Sequence, residues 1–149
     1  MEKTHLFEGE LIFENASGFG RAIYHPQFNC IEIVLLGTLP YQANIELYKE
    51  ALQKGTEVQC SHLIFNLQGM IGDRVQTRAW IVSKFVPAFF KQIKASTYYA
   101  AIVANKPNPL VKSSIDFIVG VVRTMGKRIE IKHFENQQEA LNWHQNQAR

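Results

Sequence analysis

The segment Asn66–Arg74, with the sequence NLQGMIGDR, holds the residues of this chain whose types and spacing best suit chemistry. Gly69 and Gly72 stand three positions apart and are followed by an acid and a base. The segment comes after an apolar run and before a long helical pattern. A loop of this kind could hold a phosphate at the start of a helix, could carry a regulatory phosphorylation site, or could simply turn the chain.

Nucleotide binding is the first of these possibilities, and the spacing argues against it. A phosphate-binding P-loop needs four residues between its glycines and a lysine directly after the second, so that backbone N–H groups surround the phosphates and the lysine meets their charge. Here the glycines are too close, and Asp73 stands where the lysine belongs. Nucleotide hydrolysis is therefore not predicted, although a weak anion site at the helix start stays open.

Asp73 has a structural interpretation as the N-cap of the following helix. In that position it places Gln76 at the third helical residue, which gives the reciprocal capping arrangement. A phosphorylation switch is disfavoured because positions 66 to 76 contain no serine or threonine, and Thr77 is the first hydroxyl. We expect a kinase to place no phosphate in this segment.

Other catalytic and metal-binding patterns are absent from the sequence. There is no GxSxG or HExxH motif and no evident pair of acidic residues. The five histidines are scattered singly, and His62 is better explained as a hydrogen-bonded strand residue than as a base. Cys30 and Cys60 lack the spacing of a metal or redox motif and could be neighbours only if their strands pair in parallel. We predict no enzymatic activity, no cofactor and no metal.

Charge is distributed unevenly along the chain, whose net charge is +3. Residues 73–128 hold ten basic and two acidic residues, whereas residues 1–72 hold four basic and eight acidic ones. Such a basic zone attracts acidic proteins, anionic lipid or nucleic acid, or it is simply a solvated helix face. Nucleic acid is the least favoured partner, because aromatic and basic residues do not interleave as in a stacking surface.

The elements that must position these residues alternate along the chain. Three strands, 10–16, 20–26 and 30–37, are predicted to form an antiparallel meander, with the third one central. Helices then alternate with strands at 61–67, 98–104 and 128–134; the helices cover 40–55, 73–95, 108–127 and a short C-terminal segment capped by Asn136. This order predicts an α/β fold with a mixed sheet of five to six strands, parallel after the meander, and about four helices.

The helix after the loop carries several candidate binding residues. Helical spacing places Val75, Ala79, Val82, Val86, Phe89, Phe90 and Ile93 on its core face. The opposite face carries Trp80, Lys84 and Lys91, and Pro87 is expected to bend the helix. A tryptophan on a polar face is either covered by a loop or available to a partner.

The helix over 108–127 has an unusually wide apolar arc. Its core face consists of Val111, Ile115, Ile118, Val122 and Met125, and the arc is extended on one flank by Leu110, Phe117 and Val121. An arc this wide must meet more than one neighbour. Two flanking elements of the same domain, a homodimer contact and the wall of a hydrophobic cavity all satisfy that requirement.

The length of 149 residues suits one domain, 1–149, with a substantial core. The N-terminal sequence lacks the pattern of a secretory signal, and the apolar runs are too short to cross a bilayer. A cytoplasmic location is the expectation.

Several stretches, taken in order, resemble the STAS-like (SpoIIAA-like) family. They are YHPQFNCIEIVLLG, LYKEAL, LIFNL, AWIVSKFVPAFFKQI leading into YYAAIVA, and QEALNW. The resemblance covers about residues 10–145, and the family is related in fold to the bacterial anti-sigma-factor antagonists. It implies a small, non-enzymatic signalling or interaction domain. Some members are grouped by fold with CRAL-TRIO lipid-binding domains, which leaves a hydrophobic ligand as the alternative.

The resemblance also implies a serine at the loop that a partner kinase would phosphorylate, and this chain lacks it. We therefore predict an interaction module without that switch, which binds a protein partner, a second copy of itself or a small lipid-like molecule. The candidate binding residues are Trp80, Arg74, Arg78, Lys84, Lys91, Phe117 and Val121.

Overall fold

Six strands form one mixed sheet in the computed structural model, which describes residues 9–147. The strands are β1 (Glu10–Glu14), β2 (Gly20–His25), β3 (Cys30–Gly37), β4 (His62–Met70), β5 (Tyr98–Val103) and β6 (Ile129–Phe134). They lie side by side in chain order, antiparallel from β1 to β3 and parallel from β3 to β6. The predicted α/β class, the meander and the parallel remainder are confirmed.

The helices follow the predicted alternation. They are α1 (Tyr41–Val58), α2 (Val75–Trp80), α3 (Val86–Gln92), α4 (Pro109–Val122) and α5 (Gln137–Gln145). A π-helical segment, Ile81–Phe85, joins α2 to α3 without a break. Residues 75–92 are thus one long helix, and the count of about four helices is confirmed.

The two faces of the sheet bury different side chains because successive strand residues point to opposite sides. On β4, Leu63 belongs to the larger core with α1 and the helix over 75–92, whereas Ile64 belongs to a smaller core with α5. Ile102 of β5 packs on α4 through Ile115. Three helices, namely α1, the helix over 75–92 and α4, therefore cover one face of the sheet, and α5 packs on the other.

The expected end of α1 at Gly55 is wrong. The helix continues to Val58, and Gln59 closes it with a left-handed φ of 49°. A Cβ at Gly55 would lie 3.0 Å from Cδ1 of Ile93 and 3.4 Å from Cδ1 of Ile31. This glycine therefore serves close packing of the helix on its neighbours rather than helix termination.

The core face predicted for the first half of the helix over 75–92 is also wrong. Val75 is 76% exposed, and the buried positions there are Thr77, Ile81 and Phe85. The π-helical segment inserts extra backbone before Pro87, so a wheel drawn at 3.6 residues per turn loses register at that point. Pro87 has no N–H to donate, and its ring crowds the carbonyl one turn earlier, which explains why the departure from α geometry occurs here.

Candidate functional site

The segment that joins β4 to α2 is shorter than the sequence indicated. β4 continues through Met70, so the connection comprises positions 71–74. The N–H of Ile71 donates to the carbonyl oxygen of Gly37 at 2.8 Å, which extends the pairing with β3. A Cβ at Gly69 would clash with the side chain of Leu36, so a glycine at this position allows β3 and β4 to lie close together.

Asp73 does not cap the helix, and that expectation is corrected. Arg74 occupies the N-cap position and makes no side-chain cap bond. The Asp73 carboxylate instead accepts from Arg78, whose Nε lies 3.0 Å from Oδ1 and whose Nη2 lies 3.0 Å from the same oxygen. Ser114 Oγ of α4 donates to Oδ2 at 2.6 Å. The side chain of Asp73 is only 6% exposed. Because a buried charge must be paired, the ion pair with Arg78 and the hydrogen bond from Ser114 are favoured over a capping bond.

An apolar cavity of about 110 Å³ lies between the sheet and the helices that cover its larger core. Its walls come from α1, the helix over 75–92, α4 and strands β3 to β6. Most lining side chains are aliphatic or aromatic, and they include Leu63, Phe65, Phe85, Phe89, Ile102, Ile115 and Val119. The core face of α4 thus lines the cavity through Ile115, Ile118 and Val122, whereas Phe117 and Val121, which widen the apolar arc, are not among the lining residues.

Polar groups line part of this cavity. Asp73, Thr77 and Ser114 are among its lining residues, together with Asn44 and Tyr48 of α1. Thr77 is 2% exposed, and its Oγ1 has no hydrogen-bond partner among residues 9–147. Burial raises the pKa of the Tyr48 hydroxyl above its ordinary value, and the negative charge of Asp73 raises it further. The cavity therefore combines apolar walls with a small group of polar side chains.

Four candidate binding residues from the sequence lie on the helix over 75–92, in different settings. Arg78 is 16% exposed and is held in the ion pair with Asp73. Trp80 is half-buried and packs on Tyr48, with ring centroids 6.1 Å apart. Trp80 and Lys84 line a shallow groove beside α1, whereas Lys91 is exposed farther along and does not line it. The structure brings together two of these four residues.

The remaining candidates lie on the outer surface. Arg74 is exposed at the start of α2. Phe117 is 44% exposed, and Val121, one turn later on α4, is half-buried. Three further exposed apolar side chains lie near Arg74 in the chain or on the first turn of α4: Ile71, Val75 and Leu110.

A second polar cluster lies on the opposite face of the sheet, where Glu32 is completely buried. Its carboxylate accepts from His25 Nε2 at 2.8 Å, from Asn66 Nδ2 at 2.8 Å and from Gln137 Nε2 at 2.7 Å. Burial by itself raises the pKa of Glu32, but the hydrogen bonds from these three side chains and the charge of His25 outweigh it, so the pKa is lowered. The cluster ties β2, β3, β4 and α5 together.

Two histidines that are 82 positions apart meet beside this cluster. His144 Nε2 donates to the carbonyl oxygen of Leu63 at 2.9 Å, which leaves its Nδ1 to accept from His62 Nδ1 at 2.8 Å. The His62 ring stacks on Tyr99 at 4.6 Å. The prediction that His62 is a hydrogen-bonded strand residue is confirmed; its pairing with another histidine was missed.

Thr77 and Ser114 are the site residues that sequence reasoning missed, although a signal for Ser114 was present. It lies three residues after Val111 and next to Ile115, so the helical spacing that marks the core face also includes it. Such a serine on a buried face requires a partner. The chain could not indicate that the partner is Asp73, because that contact depends on how α4 packs against α2.

Within the described part of the chain, no group of three or more histidine, cysteine or acidic side chains is placed to hold a metal ion. Over the same residues, no helix combines the length and the apolar character needed to cross a bilayer. Comparison with protein-family models, with curated proteins and with solved structures gave no match for this chain.

Proposed function

We propose that this chain is a non-enzymatic binding module of the STAS-like type that senses a small hydrophobic molecule. The observation that carries the proposal is the cavity of about 110 Å³ between α4 and the sheet. Natural cores are packed to crystal-like density, so a void of this size forfeits many van der Waals contacts unless something fills it. A ligand that fills it recovers those contacts.

The size of the cavity narrows the ligand class. An engineered cavity of about 150 Å³ with comparable walls takes up benzene or xenon. A void of about 110 Å³ therefore suits a single ring or a short branched chain and is too small for a long-chain lipid. This supports the small hydrophobic ligand among the partners that the sequence left open.

The buried titratable groups support a role without catalysis. His25 and Glu32 form the carboxylate–imidazole pair that a proton-transfer enzyme would use, but both side chains are at most 1% exposed. Asn66 and Gln137 occupy further acceptor positions of the same carboxylate. The pair is thus enclosed by the fold, and its hydrogen bonds stabilise the packing of α5.

Toluene binding tests the proposal, with two leucine substitutions on adjacent residues of β5 as the comparison. Ala100 lines the cavity, whereas Ala101 lies on the other face of the sheet in the smaller core. Toluene should raise the melting temperature of the wild-type protein, because a ligand that binds the folded state stabilises it. Ala100→Leu should fill the cavity and remove this shift.

Ala101→Leu serves as the matched control. It should lower stability by about 1–3 kcal/mol through overpacking, yet the toluene-induced shift should persist. If toluene leaves the wild-type melting temperature unchanged, or if Ala100→Leu retains the full shift, the proposed cavity function is wrong.

A second candidate function, docking of a protein partner, is favoured by the exposed apolar side chains around the same segment. Ile71 is 62% exposed and Leu110 is 61% exposed. The two segments are joined, since Asn108 Nδ2 donates to the carbonyl oxygen of Ile71 at 2.8 Å. The exposed base Arg74 lies between Ile71 and Val75 in the chain, so a partner with an apolar side chain beside an acidic group would complement this surface.

Site-specific photo-crosslinking in the native host tests the docking surface. A photoreactive residue at position 110 should give one discrete heteromeric adduct that Arg74→Glu abolishes. The matched control is position 11, where Leu11 is 58% exposed on edge strand β1. The same adducts at positions 110 and 11 would contradict a specific docking surface. An adduct with twice the mass of the chain would show that the partner is a second copy of this chain and not an acidic protein.

A further inference from the structure

We infer that the cavity selects a neutral, single-ring molecule that carries one hydroxyl group, and that Thr77 and Asp73 form the end that recognises this hydroxyl. The inference rests on the proposed function, since it names the class of ligand for the same cavity. Three features of the lining residues carry it: an unpaired hydroxyl, a balanced pair of charges and a compact apolar wall.

The unpaired hydroxyl belongs to Thr77. It lines the cavity and is 2% exposed, and no group in residues 9–147 bonds with its Oγ1. A buried hydroxyl without a partner carries a free-energy cost that a bound polar group removes. The threonine hydroxyl both donates and accepts, so it is matched by a ligand group with the same two capacities.

The charges beside Thr77 are already balanced. Arg78 approaches the Asp73 carboxylate through both Nε and Nη2, and Ser114 adds a third donor. A cationic ligand would compete with Arg78 for this carboxylate. An anionic ligand would meet the same negative charge that, after burial, raises the pKa of Tyr48. A neutral ligand avoids both costs, and a hydroxyl is a compact neutral group that can donate to a carboxylate and accept from threonine.

The remaining walls define the body of the ligand. Tyr48, Phe85 and Phe89 contribute aromatic rings, and Ile115 and Val119 contribute aliphatic groups. The aromatic faces and aliphatic groups of these side chains offer no hydrogen bond to a ring, so the part of the ligand that contacts them should be hydrocarbon. With a volume of about 110 Å³, the cavity suits one ring, which makes phenol the simplest probe of the class.

Isothermal titration calorimetry at pH 7 with three matched probes tests this inference. Phenol, toluene and benzoate share a ring and differ in one substituent, which is a hydroxyl, a methyl or a carboxylate. Phenol is neutral at this pH because a phenolic hydroxyl has a pKa of about 10. We expect phenol to bind roughly tenfold more tightly than toluene, as one additional hydrogen bond allows, and benzoate not to bind.

Two substitutions at Thr77 assign the preference to its hydroxyl. Thr77→Val keeps the shape and removes the hydroxyl, so the preference for phenol over toluene should fall well below tenfold, because only the bond to Asp73 remains. Thr77→Ser keeps the hydroxyl and should retain the preference for phenol. Thr124→Val is the control outside the cavity, since the hydroxyl of Thr124 donates to the carbonyl oxygen of Val121 at an exposed position; it should leave all three affinities unchanged.

The outcomes separate the inference from the function on which it rests. If toluene binds the wild-type protein as tightly as phenol, or if benzoate binds most tightly, the assignment of a neutral hydroxylic ligand is overturned while the cavity function stands. If none of the three binds, both are overturned. The relative affinities of the wild-type protein for phenol, toluene and benzoate test the ligand class even if one of the variants fails to fold.

Discussion

Ser114 Oγ donates a hydrogen bond of 2.6 Å to Asp73 Oδ2 across 41 positions of the chain. This contact fixes the distance between α4 and the start of the helix over 75–92, and both elements line the cavity. The same carboxylate holds Arg78. One acidic residue in the connection after β4 thus joins two helices at the polar end of the cavity.

Ser114→Ala should lower the free energy of unfolding by about 1.5–3 kcal/mol relative to Ser113→Ala, because hydrogen bonds to charged groups have this strength. Urea denaturation measures the difference. Ser113 is exposed on the same helix, so both variants gain the same helix propensity and the comparison isolates the bond to Asp73. Equal stabilities would show that this bond adds nothing to the packing of α4.

The lowered pKa of Glu32 predicts a loss of stability in acid. Burial opposes ionisation of this group, but the hydrogen bonds and the charge of His25 outweigh it. The pKa is therefore lower in the folded than in the unfolded state, where its ordinary value is 4.5, and the contribution to stability is present above that pH. It is lost as the pH falls below about 4.5 through the folded-state pKa. Urea denaturation at a series of pH values should show this fall.

Glu32→Gln should destabilise the protein at pH 7 and flatten its pH dependence below pH 4.5, since the titrating group is gone. Glu46→Gln, at an exposed position of α1, is the control and should keep the wild-type pH profile. A Glu32→Gln variant with the same acid dependence as the wild-type protein would contradict the role assigned to Glu32.

Two glycines near the end of α4 should respond in opposite ways to alanine. Gly120 lies within the helix, and a Cβ there would meet no atom of residues 9–147 within 4 Å, so Gly120→Ala should stabilise by about 0.5–1 kcal/mol. Gly126 has a φ of 76°, which a residue with a Cβ adopts at a cost. Gly126→Ala should therefore lower the melting temperature, and a differential scanning calorimeter resolves both changes. A stabilising Gly126→Ala would contradict this explanation.

The histidine pair predicts a further stability effect. His144→Leu removes the acceptor for His62 and the donor to the carbonyl of Leu63, which leaves two buried polar groups without these bonds. We expect a loss of about 1–3 kcal/mol in the free energy of unfolding. Gln145→Leu, at the adjacent exposed position, should change it by less than about 0.5 kcal/mol. Similar values for the two variants would argue against the pair as a tie between β4 and α5.

Local patterns were enough to predict the order and type of the elements. The apolar run at Cys30–Gly37 predicted a central strand, and β3 is the third of six strands with most of its side chains buried. Asn136 was predicted as an N-cap, and its Oδ1 accepts from the N–H of Glu139 at 2.9 Å. Each of these signals depends on residues close together in the chain, so the sequence alone carries it.

The candidate site could be predicted only in part, because it depends on contacts between distant segments. The connection after β4 was identified as the best place for chemistry, and Asp73 does lie in the cavity wall. Its assignment as a cap failed because a buried carboxylate gains more from Arg78 and Ser114 than from backbone N–H groups at an exposed helix start. The side chain of Thr77 is buried because the π-helical segment shifts the register of the helix. A helical wheel drawn with a constant 3.6 residues per turn does not include such a shift.

A crystal structure of the wild-type protein under xenon pressure shows whether the cavity admits a guest, because xenon enters apolar cavities without forming hydrogen bonds or ion pairs. We expect a strong peak of electron density between α4 and the sheet, in van der Waals contact with Ile115 and Phe85. Ala100→Leu should remove that peak. An absence of density at this position in the wild-type protein, with the fold intact, would contradict a ligand cavity in this chain.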